Sequence, residues 1–165
     1  MIVLGIDPGT ATTGYGLVEN KAGRNSIIAY GTIDTRANMD MALRLSKINR
    51  DLDDLIIKYN PDVVAVEALY YQKNAKTVIT VAQSRGVILM TAANRAVEVA
   101  EYTPLQVKQS VVGFGRAEKA QVQFMVQKLL NLKDIPKPDD AADALAVAIC
   151  HLHSYKINSI YKGGY

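Results

Sequence analysis

A chain of 165 residues that is 49% hydrophobic and 21% charged has the composition of one globular domain with a core of its own, which excludes a disordered or fibrous polypeptide. No apolar run is long enough to span a bilayer, the opening MIVLGID reads as a strand with no signal peptide, and a lone cysteine, Cys150, allows no internal disulfide, so a cytoplasmic protein without a membrane partner is expected. The net charge is +3; if four acids are committed to metal, 12 remain against 19 basic groups, a bias that favours a polyanion.

In chain order, residues 2–7 (IVLGID) form a short apolar run ending in an acid, the pattern of an interior strand buried on both faces. PGTATT and NKAGRN read as turns around two further strands, near 14–20 and 26–34, giving a three-stranded meander. The period then changes. Ala42, Leu45, Ile48, Leu52, Leu55, Ile56 and Tyr59 follow helical spacing over 39–59, and Asn60-Pro61 ends that helix. Residues 62–67 (DVVAVE) repeat the apolar run with a terminal acid. A helix over 74–94 is apolar nearly all round, which places it in the core or in a subunit contact. A fifth strand is expected at 97–102, then helices near 104–112, 117–131 and 139–155. The expected architecture is an α/β domain over residues 1–157, a five-stranded mixed sheet flanked by helices, with a loose tail at 158–165.

Asp7 and Glu67 each end a strand that enters the parallel part of such a sheet, where ligands gather at the carboxyl ends. Side chains alternate along a strand, so Asp7 shares a face with Gly5, and Glu67 with Ala65. The small residues leave room for a helix to pack close. PDDAADALAVAICHLH supplies one: Asp140 and Asp143 project from one face, and its alanines keep it slim. Each acid alone could cap a turn or a helix, and Asp139 could be the cap or could stand in for Asp140; Asp140 is preferred because it shares a face with Asp143. Together the four carboxylates would repel one another without a cation. Their hard oxygens suit Mg²⁺ or Mn²⁺, and two such ions can drive phosphodiester hydrolysis. His151 and His153 lie about 12 Å or more along the helix from Asp143, at about 1.5 Å per residue, too far to share that metal.

GIDPGTATTGYG, VEALYYQKNAKTVITVAQSRGV, VKQSVVGFGRAEKAQVQ and DDAADALAVAICH, in this order and at these separations, resemble four blocks of the RuvC family of Holliday-junction resolvases. The resemblance runs over nearly the whole chain. It implies an RNase H-like fold, a homodimer, and Mg²⁺-dependent paired nicking of four-way DNA junctions in recombination and repair. It also implies RuvA and RuvB branch-migration proteins as partners. Asp7, Glu67, Asp140 and Asp143 match the family's catalytic acids, Lys108 and Lys119 its basic residues near the scissile phosphate, and Tyr70 an aromatic that stacks on bases at the crossover. The opening block also resembles the first phosphate loop of actin-like ATPases and sugar kinases, but the chain has no second such loop. An RNase H-like nuclease acting on another nucleic acid remains an alternative.

Overall fold

The computed structural model describes residues 1–69 and 75–162, with side chains described for 1–69 and 78–155. The elements run β1 (Ile2–Asp7), β2 (Thr12–Lys21), β3 (Arg24–Asp34), α1 (Met41–Tyr59), β4 (Val63–Glu67), α2 (Ala75–Asn94), β5 (Glu98–Tyr102), α3 (Pro104–Val112), α4 (Lys119–Leu129) and α5 (Asp139–Lys162). The expected order is present throughout. The largest difference is at the end: α5 continues through Lys162, past residue 157, where the sequence reading closes the domain.

The sheet order is β3-β2-β1-β4-β5. The meander β1–β2–β3 is antiparallel, and β1, β4 and β5 are parallel. Both faces of β1 and β4 are buried, as their unbroken apolar runs require. Leu4, Ile6, Val64 and Val66 point to one side, against Ile48, Leu52 and Ile56 of α1 and Ile88 and Ala92 of α2. Val3 and Ala65 point to the other, against α3, α4 and the alanine-rich stretch of α5.

On that second face the helix lies almost on the backbone of the sheet. Gly5 pairs with Gly16, and Asp7 with Gly14, so all four residues share the α5 side. A Cβ on Gly5 would stand 2.1 Å from the Ala144 carbonyl oxygen, and one on Gly14 would stand 2.0 Å from that of Asp140. One on Gly16 would meet the Leu145 side chain at 2.7 Å. The room inferred beside Gly5 is therefore filled by a helix, as the sequence suggested, and β2 extends the track with Gly14 and Gly16.

α2 is buried on one side only. Ser84, Ile88, Thr91 and Ala92 face the interior, while Ile79 is 61% and Met90 51% exposed. Its start is tied to the β1–β2 turn, where the Thr10 hydroxyl donates to the Thr80 carbonyl at 2.7 Å and lies 2.9 Å from the Ser84 hydroxyl. Cys150 is a buried thiol whose pKa burial raises. No helix of the described residues is long and apolar enough to cross a membrane.

Because the clash at Gly5 and Gly14 is with backbone, a methyl there cannot be absorbed by a rotamer change. Gly5→Ala and Gly14→Ala should each cost about 1–3 kcal/mol or more in urea unfolding, the usual penalty of overpacking. Gly23→Ala, with open space around its Cβ but a left-handed φ of 79°, should cost less. Equal stability of Gly14→Ala and the wild type would mean that α5 does not rest on the sheet this closely.

Candidate active site

Ile6 pairs with Val66, so Asp7 and Glu67 end adjacent parallel strands side by side. Across β2, Gly14 sits opposite Asp7 and carries the backbone of Asp140 directly above it. The first turn of α5 thus enters at the end of β1. The Pro138 carbonyl accepts from the Ala141 and Ala142 N–H groups at 3.1 and 3.3 Å and fixes where the helix begins. One turn on, Asp143 reaches a cleft of about 230 Å³ lined by Asp7, Glu67, Lys108 and Lys119, with Pro104, Val107, Val122 and Ala146 as its apolar wall.

Two helix starts deliver the cations. α3 opens with a reciprocal cap, the Gln106 N–H donating to the Thr103 hydroxyl and the Thr103 N–H donating to the Gln106 side chain at 2.8 Å, which sets Lys108 toward the cleft. At α4 the Glu118 N–H donates to the Gln121 side chain at 2.8 Å, and Lys119 is the first helical residue. Its Nζ lies 3.0 Å from Asp143 Oδ2 and 3.4 Å from Asp139 Oδ2.

The electrostatics follow from burial and crowding. The Asp7 carboxyl is pushed up to about 8, first by burial and then by the charges of Glu67, Asp143 and Asp140. Glu67 is pushed up to about 7 by burial and by Asp143, against the pull of Lys108 and Lys119. Asp143 is also raised, burial outweighing the attraction of Lys119. Asp139 behaves oppositely: exposed, with the Gln123 side chain and the Lys119 ammonium nearby favouring its charged form, it is held below the usual carboxylate range. Lys119 is raised: burial works against its charge, but Asp143 and Asp139 outweigh it.

The structure therefore brings Asp7, Glu67, Asp143, Lys108 and Lys119 to one cleft, with Asp140 close enough to act on Asp7. Asp139 faces Lys119 and Gln123 instead. Tyr70 lies outside the described residues. His151 and His153 stay away from the cleft; their Nδ1 atoms lie 2.9 Å from the Tyr102 hydroxyl and 3.3 Å from the Ser110 hydroxyl. The clasp of Lys119 by Asp139 and Asp143 was not read from the sequence, because it joins two helices whose contact only the tertiary fold sets. As the side chains stand, no three His, Cys, Asp or Glu among the described residues converge closely enough to cage an ion. The donor set still fits a hard dication: Asp7, Glu67 and Asp143 are partly buried beside one another, and burial and crowding raise all three carboxyls.

With this geometry in place, comparison with known proteins is decisive. The model of the family described as crossover junction endodeoxyribonuclease RuvC matches residues 3–151. The chain belongs to the RuvC family. It is 68% identical over 162 residues to the crossover junction endodeoxyribonuclease RuvC of Syntrophomonas wolfei, covering 98% of this chain and 94% of that one. It is 59% identical over 165 residues to that of Caldanaerobacter subterraneus, covering 100% and 99%. Among solved structures, Thermus thermophilus RuvC in complex with Holliday junction substrate superposes with a TM-score of 0.91 at 32% identity, over 96% of each chain. The fold is accordingly RNase H-like, and the protein is a nuclease of the RuvC family.

The raised carboxyls give a measurable pH signature without metal. The folded chain keeps protons on Asp7 and Glu67 that the unfolded chain releases near the ordinary values of 3.8 and 4.5. Between there and about 8 the folded state binds more protons, so stability falls as pH rises. In EDTA the Tm should drop across this window. Asp7→Asn should flatten the drop and melt several degrees above wild type at pH 8, at about 2–4 °C per kcal/mol. Identical pH profiles for the two proteins would contradict the shift at Asp7.

Proposed function

We propose that this protein is a Holliday-junction resolvase that makes paired symmetric nicks in four-way DNA junctions, with Asp7, Glu67, Asp140 and Asp143 as metal-holding catalytic acids. The observation that carries the reading is the raised Asp7 carboxyl: burial and three other acids, drawn from β4 and α5, load one point of the cleft with negative charge beside two lysines. A nucleic-acid phosphate adds further negative charge, and divalent cations reconcile the two. The four acids would hold Mg²⁺, with Mn²⁺ able to substitute and two ions per site. When bound, the ions supply an activated water and neutralise charge at the departing 3′ oxygen.

The chain's own groups do the rest. Lys119 and Lys108 attract the phosphate and orient it across the cleft. The carboxylates of Asp143 and Asp139 keep the Lys119 ammonium charged and hold it at the entrance. The apolar wall of Pro104, Val107, Val122 and Ala146 limits water around the reacting groups. Hydrolysis in this sense leaves 5′-phosphate and 3′-hydroxyl ends, which a ligase can rejoin directly. Tyr70 would stack on bases at the crossover.

Two equivalent strands must be cut, so two sites are needed, and a two-fold homodimer supplies them from one surface. The outer side of α2 supports this. Ile79 and Met90 stand exposed there, and a Cβ on Gly86, between them, would meet nothing within 4 Å among the described residues. Glycine in a helix interior costs about 0.5–1 kcal/mol relative to alanine, and no close packing among the described residues compensates for it. A second copy packed closely against Gly86 would. By the family resemblance, RuvA and RuvB would be partners in the cell.

Synthetic four-way junctions, beside duplex and RNA–DNA hybrid controls, test the assignment. Asp7→Asn, Glu67→Gln, Asp140→Asn and Asp143→Asn should each slow nicking by about 100-fold or more while leaving junction binding intact. Asp139→Asn should keep most activity. If Asp140→Asn cuts at the wild-type rate and Asp139→Asn does not, the two acids exchange roles. A chain that cuts hybrids and spares junctions would point to the alternative nuclease.

For the dimer, sedimentation of Gly86→Lys should show weakened self-association and uncoupled nicks in the two strands, with the melting transition of the isolated chain preserved. A Gly86→Lys protein that stays dimeric would move the interface elsewhere.

A further inference from the structure

Between the two lysines of the cleft the chain makes a tight turn that the proposed chemistry does not use. Gly113 ends α3 with φ 80° and donates its N–H to the Gln109 carbonyl at 2.9 Å. The Ala117 N–H donates to the Phe114 carbonyl at 3.1 Å, and Ala117 is buried, so residues 114–117 form a closed turn anchored at its far end. Gly115 packs on Leu105: a Cβ there would stand 2.5 Å from Leu105 Cδ1. Leu105 in turn adjoins Pro104, which lines the cleft. The turn therefore sits at the cleft rim.

Its exposed groups are an unusual mixture. Phe114 is 57% and Leu105 58% exposed, an aromatic ring and an aliphatic side chain facing solvent on a firmly anchored loop. Arg116 is exposed and forms no ion pair among the described residues. Lys108 and Lys119 flank the turn in sequence and enter the cleft beside it. An apolar protein surface is a poor match for a patch ringed by cations. A nucleic acid matches both parts, because its phosphates are anionic and each base presents an apolar π-face wherever its stack is interrupted, as at a branch point.

We propose that Phe114 stacks on a nucleobase adjacent to the phosphate held in the acidic cleft, with Arg116 on a flanking phosphate and Leu105 supporting the base edge. This rests on the endonuclease reading above. It makes the α3–α4 turn a second contact that positions the strand to be cut.

The test uses a four-way junction carrying 5-iodouracil at successive positions around the nick site, because that base photocrosslinks efficiently to an aromatic ring stacked on it. In EDTA, so that nothing is cut, the wild type should crosslink at Phe114, identified by peptide mass. Phe114→Tyr should keep the crosslink at that position, and Phe114→Leu and Phe114→Ala should lose it. With Mg²⁺, Phe114→Ala should slow single-turnover nicking about 10- to 100-fold, the range of one lost stack. Tyrosine should restore the rate and leucine should not. Melting temperatures should be unchanged, since the ring is exposed.

Absence of any crosslink to Phe114 in the wild type would overturn the proposal, as would leucine restoring nicking as well as tyrosine does. Weakened self-association in Phe114→Ala with normal nicking would also overturn it and assign the patch to a protein contact. A wild type that crosslinks but never nicks would contradict the endonuclease reading while leaving the stacking contact standing.

Discussion

The whole site depends on how closely α5 approaches the sheet. Gly5, Gly14 and Gly16 form a track on one face of β1 and β2, and the backbone of α5 occupies the space that their side chains would have taken. Ala141, Ala144 and Ala148 do the same from the helix side. Cα hydrogens and small methyls give the two elements a dense, dry contact, which contributes through dispersion and burial. Its more important product is position. With the helix pressed to the sheet and begun at Pro138, the first two turns put Asp140 over the Gly14–Asp7 pair and Asp143 into the cleft.

That placement runs against electrostatic preference. Carboxylates half-buried together raise one another's proton affinity, and Asp7, at about 8, stays largely protonated at neutral pH without a cation. Two features make the arrangement tolerable. Lys119 leans across the outer acids, and Asp140 begins a helix, where the dipole favours negative charge. At Asp7 and Glu67, in the cleft, the pull of Lys119 is outweighed by burial and by the neighbouring acids, and both stay raised. The packing energy of the glycine track holds them there, and their chemistry is left open for metal.

Much of this was legible in the sequence because it is local. Period-two and period-3.6 patterns located the strands and helices, and an acid at the end of each apolar run, preceded by Gly5 or Ala65, marked two corners of the site. The Asp140–Asp143 spacing marked the third. What escaped was set by tertiary contact. Gly14 and Gly16 read only as residues of a strand, and it is the register that places them opposite Asp7 and Gly5. The doubled Asp139-Asp140 could be weighed only by spacing; the structure turns Asp139 out to Lys119 and Gln123 and leaves Asp140 to act on Asp7. α2 looked apolar all round, yet one side proves exposed, because its small residues Ala82 and Gly86 hide which face meets the core.

The central claim is that the glycine track assembles one metal-holding cluster from β1, β4 and α5. Diffraction from Mn²⁺-soaked crystals, recorded at the manganese edge, tests it most directly, since anomalous peaks locate the ion without assumption about its ligands. The account predicts density between Asp7, Glu67, Asp140 and Asp143, with oxygens drawn in to about 2.0–2.2 Å. Peaks coordinated by Asp139 instead of Asp140, or lying away from the ends of β1 and β4, would contradict it.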